Sequence, residues 1–410
     1  MLRMQSMAFV ERPRLLALVE SRLRVNPAVL LLGPRQCGKT TLARAFSARH
    51  DAESFDLEAP ADRGRLVQPA TTLTPLRGTV VIDEAQLQPE LFPVLRVLAD
   101  RRPLPARFLL LGSASPDLVR GISESLAGRV ALVQMGGFGL EEVDDRNLRR
   151  LWWRGGFPRS FLARSDEESR LWREDFVQTF LERDLGRFGV QVPAPTLRRF
   201  WSMVAHYHGQ IWNASEIGRS LGEAHTTVKR HLDILCGSFV MRQLPPWFEN
   251  LGKRQVKSPK VFLRDSGVLH TLLGIPSFAA LEGHPKLGAS WEGFALEEVL
   301  RVTGDREAFF WSTQGVAELD LLVFVHGQRL GFEFKYADAP SVTKSLRIAR
   351  EDLKLRRAFV VHPGPGSYPL EDWAEAVAID DLHERLRQLV GSPRRGGGLG
   401  RQRAKSRPRR

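Results

Sequence analysis

The segment PAVLLLGPRQCGKTTLARAF, residues 27–46, restricts the possible folds of this chain more than any other stretch. A short apolar run ends in Gly33-Pro34-Arg35-Gln36-Cys37-Gly38-Lys39-Thr40-Thr41 and opens directly into the helical pattern KTTLARAFSARH. This is the G-x-x-x-x-G-K-[ST] pattern in its strand-to-helix setting, and it predicts a phosphate-binding loop. Glycines let backbone N–H groups approach phosphate oxygens, and the helix N-terminus adds positive potential. Lys39 then reaches the β- and γ-phosphates, while the Thr40 hydroxyl sits on Mg²⁺. Gly33 to Thr41 are therefore the expected contacts of Mg-ATP. Cys37 reads as a small filler rather than a redox switch. Up to about residue 135, SFDLE, TVVIDE and RFLLLGS are further short apolar runs with helical patterns between them. That spacing predicts buried parallel strands in βαβ units.

Two of these strands carry chemistry at their ends. In VVIDEAQ, Asp83 closes an apolar strand, where a magnesium-holding carboxylate belongs. Glu84 follows and is placed to polarise an attacking water. FLLLGSAS ends at Ser113, either a holder of that water and sensor of the γ-phosphate or a satisfied turn serine. Arg129, in SLAGRV, is either a surface arginine or a source of positive charge for the transition state at a neighbouring subunit. Lys39, Glu84, Ser113 and Arg129 make up the expected catalytic set, with Thr40 and Asp83 on the metal.

The formal net charge of +13 suggests an anionic partner, but its distribution weakens that argument. Residues 391–410, GSPRRGGGLGRQRAKSRPRR, hold seven Arg, one Lys and no acid, which leaves +5 for the remaining chain. Such a Gly-rich basic tail is expected to be disordered and either binds phosphate backbones nonspecifically or only solubilises. Two cysteines exclude a disulfide framework or a cysteine zinc site. No apolar run reaches the roughly 18 residues of a membrane helix. A cytoplasmic protein without membrane contact is expected.

Beyond the core, 1–138, the pattern divides into a helical lid or linker (139–190), a winged helix-turn-helix (191–250), a mixed α/β unit (251–390) and the tail (391–410). The lid contains ESRLWREDFVQTFLERDL, with Leu171, Phe176, Phe180 and Leu181 on one stripe. In the third unit Asn213 or Ser215 caps a first helix, Gly222 makes the turn, and Val228, Leu232 and Leu235 face inward. His225, Thr226, Thr227, Lys229 and Arg230 are then presented as a recognition helix presents side chains to DNA. A protein-binding or structural winged helix fits the same pattern. In the α/β unit, AELDLLVFVHGQRLGFEFKYA predicts a β-hairpin turning at Gly327-Gln328, with Asp320 opposite Lys335. Asp320, Glu333, Lys335 and the helical Glu292 would bind one or two Mg²⁺ ions, with Lys335 activating water for phosphodiester cleavage. A solvent-facing polar hairpin is the alternative.

Taken together, GPRQCGKTT, VVIDEAQ, LLLGSAS, SLAGRV, RGGFP (Arg154 to Pro158), LERDL (Leu181 to Leu185), KSPKVFLRDSG, WEGFALEE and AELD…EFK resemble a family of prokaryotic AAA-type ATPases with a C-terminal domain of unknown function. That domain is similar to the PD-(D/E)xK restriction-nuclease fold. The resemblance covers nearly all of the chain except the tail. It implies an α/β protein: a P-loop NTPase parallel sheet core with a helical lid, a winged helix-turn-helix and a restriction-nuclease-like α/β domain. It further implies ATP and Mg²⁺ as cofactors, with DNA, a protein partner or a second copy as partners. After SLAGRV the family continues into a Pro-Leu-Ser turn, where this chain reads GGFGLEEV, and Phe180 stands where tyrosine is common.

Overall fold

Strand β1 (Ala28–Gly33) is buried along its whole length. Val29 and Leu31 enter one apolar core, and Ala28, Leu30 and Leu32 enter another on the opposite face. A strand covered on both sides loses the usual polar alternation, which is why it reads as a continuous apolar run. Each fully buried leucine contributes about 1.5–3 kcal/mol relative to exposure. With β2 (Glu53–Asp56), β3 (Gly78–Asp83), β4 (Ala106–Ser113) and β5 (Val130–Gln134) it forms a parallel sheet in the order β2-β3-β4-β1-β5. The C-terminal ends of β1, β3 and β4 open onto one crevice, with Gly33 in register with Ser113. Ligands bind at that edge in open α/β sheets. The computed structural model describes residues 10–113, 122, 124–143, 145–180, 194–249, 255–313 and 317–391. LERDL and all of the basic tail after Gly391 lie outside them.

Helices Leu148–Arg154, Pro158–Phe161 and Asp166–Thr179 follow the sheet. Ser165 caps the third by accepting from the Glu168 N–H at 3.1 Å. The apolar stripe expected on this helix is corrected in one place. Phe176 and Phe180 are buried, but Leu171 is 48% exposed. The helix also turns Arg173 inward, where its guanidinium donates to Ser169, Thr271 and the Arg154 carbonyl. That polar interior consumes a face which apolar periodicity assigns to solvent.

Helices Ala194–His206, Ala214–Leu221 and His225–Gly237 pack on an antiparallel sheet of β6 (Gln210–Ile211), β7 (Met241–Leu244) and β8 (Lys260–Leu263), ordered β6-β8-β7. Asn213 caps the second helix by accepting from Glu216 N–H, and Gly222 ends it at φ 71°. Val228, Leu232 and Leu235 are buried, while His225, Thr226, Lys229 and Arg230 are exposed. The boundary expected at residue 250 needs correction, because β8 pairs with both β6 and β7.

The remaining strands, β9 (Ala308–Thr313), β10 (Ala317–Val325), β11 (Gln328–Phe334), β12 (Arg357–His362), β13 (Tyr368–Glu371) and β14 (Ala374–Ala378), form a mixed sheet ordered β13-β14-β12-β11-β10-β9. Helices Leu287–Thr303 and Ile379–Val390 share a core on one face, and Lys344–Leu353 packs on the other. The β10–β11 turn is His326-Gly327, both at positive φ (49° and 74°), not Gly327-Gln328. Among the described residues no helix is long and apolar enough to cross a membrane.

Candidate functional site

The phosphate loop owes its shape to two tight places. A Cβ on Gly33 would lie 2.0 Å from the Met135 carbonyl oxygen, so only glycine lets β1 turn beneath β5 there. Gly38 adopts φ 98° immediately before helix Lys39–His50. Cys37 is fully buried and its thiol donates to the Met135 carbonyl at 3.6 Å, as a space-filling residue would.

Around this loop the structure brings together most of the residues singled out from the sequence. The Thr40 hydroxyl donates to Asp83 Oδ2 at 2.7 Å, across the gap between β1 and β3. Lys39 is 5% exposed, and its ammonium donates to the carbonyls of Gly33 (3.1 Å) and Pro34 (2.9 Å). Glu84 occupies a left-handed conformation at φ 53°, and its backbone N–H donates to Asp83 Oδ1 at 2.9 Å. Burial raises the Glu84 carboxyl above the usual range, against the opposing pull of Lys39 and of a hydrogen bond from Gln86. Gln86 Nε2 also donates to Ser113 Oγ at 3.0 Å. Arg35, Gln36, Gly38 and Thr41 complete the loop side of a cavity of about 730 Å³. That volume falls within the range for small-molecule sites. A paired hydroxyl and carboxylate is a hard oxygen donor set, and it fits Mg²⁺.

The far wall of the cavity was not legible from motifs. It consists of Val10, Glu11 and Arg12 from the N-terminal segment, with Phe138, Pro158, Arg159 and Leu162. Pro158 belongs to RGGFP, which marked the lid but gave no reason to place Arg159 beside the phosphate loop. Gln86 sat within VVIDEAQ, a motif read only for its acids. Arg12 donates to the carbonyls of Gly136 and Gly137 and pairs with Glu142. From the other side of the same segment, Arg301 donates to the Phe138 carbonyl and Glu298 accepts from Leu140 N–H.

Arg129 is not brought to this crevice. It precedes β5 at the opposite end of the sheet, about 17 Å away along β1, and its guanidinium grips both carboxylate oxygens of Asp100 at 2.7 and 2.8 Å.

The C-terminal constellation assembles differently from the expected metal site. The register running on from Leu321–Phe332 sets Asp320 beside Glu333, not Lys335, although all three share a face. Lys260 of β8, overlooked in the sequence, lies among the carboxylates. It pairs with Glu292 at 3.1 Å and with Glu318, and lies 3.8 Å from Asp320. Burial alone would lower the Lys260 pKa, but Glu292, Asp320 and Glu318 together hold it above the ordinary lysine value. Glu333 accepts from the Thr343 hydroxyl at 2.8 Å and lies 4.0 Å from Lys335. Among the described residues no three His, Cys, Asp or Glu side chains converge to hold a metal. Of the four residues read as a divalent site, Glu292 and Asp320 face the Lys260 ammonium, while Glu333 and Lys335 face each other.

Known proteins match the chain in three stretches. Family models describe an AAA domain over 25–143, a domain of unknown function (DUF8612) over 145–279 and another (DUF4143) over 287–382. An uncharacterized protein of Mycobacterium tuberculosis is 51% identical over 377 residues, covering 92% of this chain and 86% of its own. One of Mycobacterium bovis matches with the same identity and coverage. Among solved structures, a Walker-type ATPase of Pyrococcus abyssi gives a TM-score of 0.46 at 17% identity, covering 64% of this chain and 96% of that one. AMPPCP-bound DnaA from Aquifex aeolicus gives 0.27 at 15% identity, covering 55% and 88%. At these scores neither structure carries weight.

Proposed function

The chain belongs to the family of its two mycobacterial relatives, an AAA-type P-loop domain followed by two domains of unknown function, and from that premise we propose that it is a Mg²⁺-dependent ATP hydrolase that passes its nucleotide state to its C-terminal domains. The carrying observation is the 2.7 Å contact from Thr40 to Asp83, made at a cavity that Lys39, Thr40 and Glu84 line. Thr40 and Asp83 would hold Mg²⁺, which supplies charge neutralisation between the β- and γ-phosphates. Lys39 exchanges two neutral carbonyls for phosphate oxygens. Glu84 takes a proton from water as the water oxygen bonds to the γ-phosphorus. The bond to the bridging oxygen breaks, and its electron pair leaves with ADP. Arg159, on the lid side of the cavity, adds positive charge near the triphosphate. Lys39→Ala tests the reading: affinity for a non-hydrolysable ATP analogue should fall about 100-fold. Unchanged affinity sinks it.

A second reading concerns the C-terminal half. The order of helices and strands from Ala194 to Leu263 supports a winged helix, with His225, Thr226, Lys229 and Arg230 on its exposed helix. The Lys260 cluster favours a module that binds DNA or a protein over one that cleaves, because an ammonium stands where a nuclease-like site would put a metal. A Mg²⁺-dependent nicking assay on the full chain, Glu333→Ala and Lys335→Ala decides the point. Activity in the full chain that both variants lose would restore cleavage.

A further inference from the structure

Gln86 lies two residues beyond Glu84, on the short turn Ala85–Leu87 whose Ala85 is fully buried. Its side-chain nitrogen carries two hydrogens, and both are used. One faces the Glu84 carboxylate and the other goes to Ser113 Oγ at 3.0 Å. A carboxylate only accepts, so the amide nitrogen is the end that must face Glu84. The other end, Gln86 Oε1, is buried and has no hydrogen-bond partner. A buried acceptor left empty costs stability. Gln86 is therefore held by what its nitrogen does and not by what its oxygen gains.

The bridge fixes the hydrogen-bond polarity of both neighbours. Once Ser113 Oγ accepts from Gln86, its own hydroxyl hydrogen is left to donate, which a phosphate oxygen at the end of β4 requires. Glu84, meanwhile, is anchored on one carboxylate oxygen and keeps the other to accept a proton. The turn is also tied to the metal side, because Glu84 N–H donates to Asp83 Oδ1 at 2.9 Å. Arg35, 3.8 Å from Glu58, and Lys39, on loop carbonyls, supply the positive charge on the loop side of the cavity.

We propose that Gln86 is a positioning residue of the nucleotide site, joining Glu84 to Ser113 so that Ser113 donates to the γ-phosphate while Glu84 faces the attacking water. This rests on the ATP-hydrolase reading. It explains how a chain with a bound triphosphate distinguishes it from a diphosphate: only the triphosphate supplies an acceptor for Ser113. Losing the bridge frees Ser113 to turn its hydrogen elsewhere and lets Glu84 move.

The test uses the full chain with Mg²⁺ and compares wild type, Gln86→Leu and Ser113→Ala. Binding of a non-hydrolysable ATP analogue and of ADP is measured by equilibrium titration, together with kcat, KM and melting temperature. In Gln86→Leu the analogue should bind about fivefold more weakly, the loss of about one net hydrogen bond, with ADP affinity within about twofold. Its kcat should fall about 100-fold, while KM rises no more than about fivefold. Ser113→Ala should give the same loss of discrimination, and the double variant no further loss, because the two residues act through one bond. If both single variants keep the wild-type ratio of analogue to ADP affinity, the inference about Gln86 fails and the ATPase reading stands. If wild type itself binds neither nucleotide, both fall together. Should Gln86→Leu melt early, Ser113→Ala alone decides whether discrimination runs through this bond.

Discussion

Two buried lysines organise the two halves of this molecule, and they do so in opposite ways. Lys39 is 5% exposed and rests on two neutral carbonyls of its own loop. Lys260 is 3% exposed and is paired with Glu292 and Glu318, near Asp320. Each ammonium is desolvated, so each needs partners. Carbonyls satisfy hydrogen bonds without cancelling charge, so Lys39 still gains by exchanging them for phosphate oxygens. Carboxylates cancel the charge of Lys260, and no anion approaching from outside improves on them. One lysine is held ready for a ligand, whereas the other acts as the ligand of the acidic residues.

The strongest way to break this contrast is Lys260→Ala. Removing the cation leaves the half-buried Glu292 and Asp320 without it, and stability should fall by about 3 kcal/mol, read by denaturant unfolding. A loss under about 1 kcal/mol would mean that solvent or a metal already compensates those carboxylates. Glu84→Gln sharpens the other half. Hydrolysis should slow about 1,000-fold with nucleotide affinity retained, because binding is carried by Lys39 and the loop. Equal loss of binding would move Glu84 from chemistry to recognition. The smallest expected effect is at Glu333, whose buried Oε2 accepts no hydrogen bond and whose carboxyl is raised above the usual range, chiefly by burial. A carboxyl raised in the folded state penalises folding once it ionises. Glu333→Gln should therefore stabilise by about 1 kcal/mol at pH 8 and lose that advantage as pH falls below the ordinary glutamate range. A gain that is the same at pH 4 and pH 8 would exclude ionisation as its cause.

The same contrast explains what could be read from sequence. The phosphate loop is local: strand, loop and helix are contiguous, and Asp83 and Glu84 follow an apolar run whose burial fixes where they emerge. The acidic cluster is not local. Lys260 comes from a strand that pairs with residues 210–211 and 241–244, and nothing near KVFL signals a carboxylate partner 32 or 60 residues away. The hairpin turn was misplaced because His326 takes a positive φ, which Gly announces and His does not. Leu171 was misassigned because a buried arginine, Arg173, uses the neighbouring face. Gln86 escaped notice because its role depends on Ser113, which lies 27 residues away along the chain.

The segment from Gly136 to Glu142 is held on one side by Arg12, which lines the nucleotide cavity, and on the other by Arg301 and Glu298 of the C-terminal helix Leu287–Thr303. If nucleotide biases how this segment sits, thermodynamic reciprocity requires that any molecule gripping the C-terminal domains in one arrangement alter nucleotide affinity by the same factor. A fluorescent ATP analogue on the full chain thus becomes a detector for an unidentified partner: fractions or nucleic acids that shift its titration curve engage the distal half, without any prior assumption about what that half does.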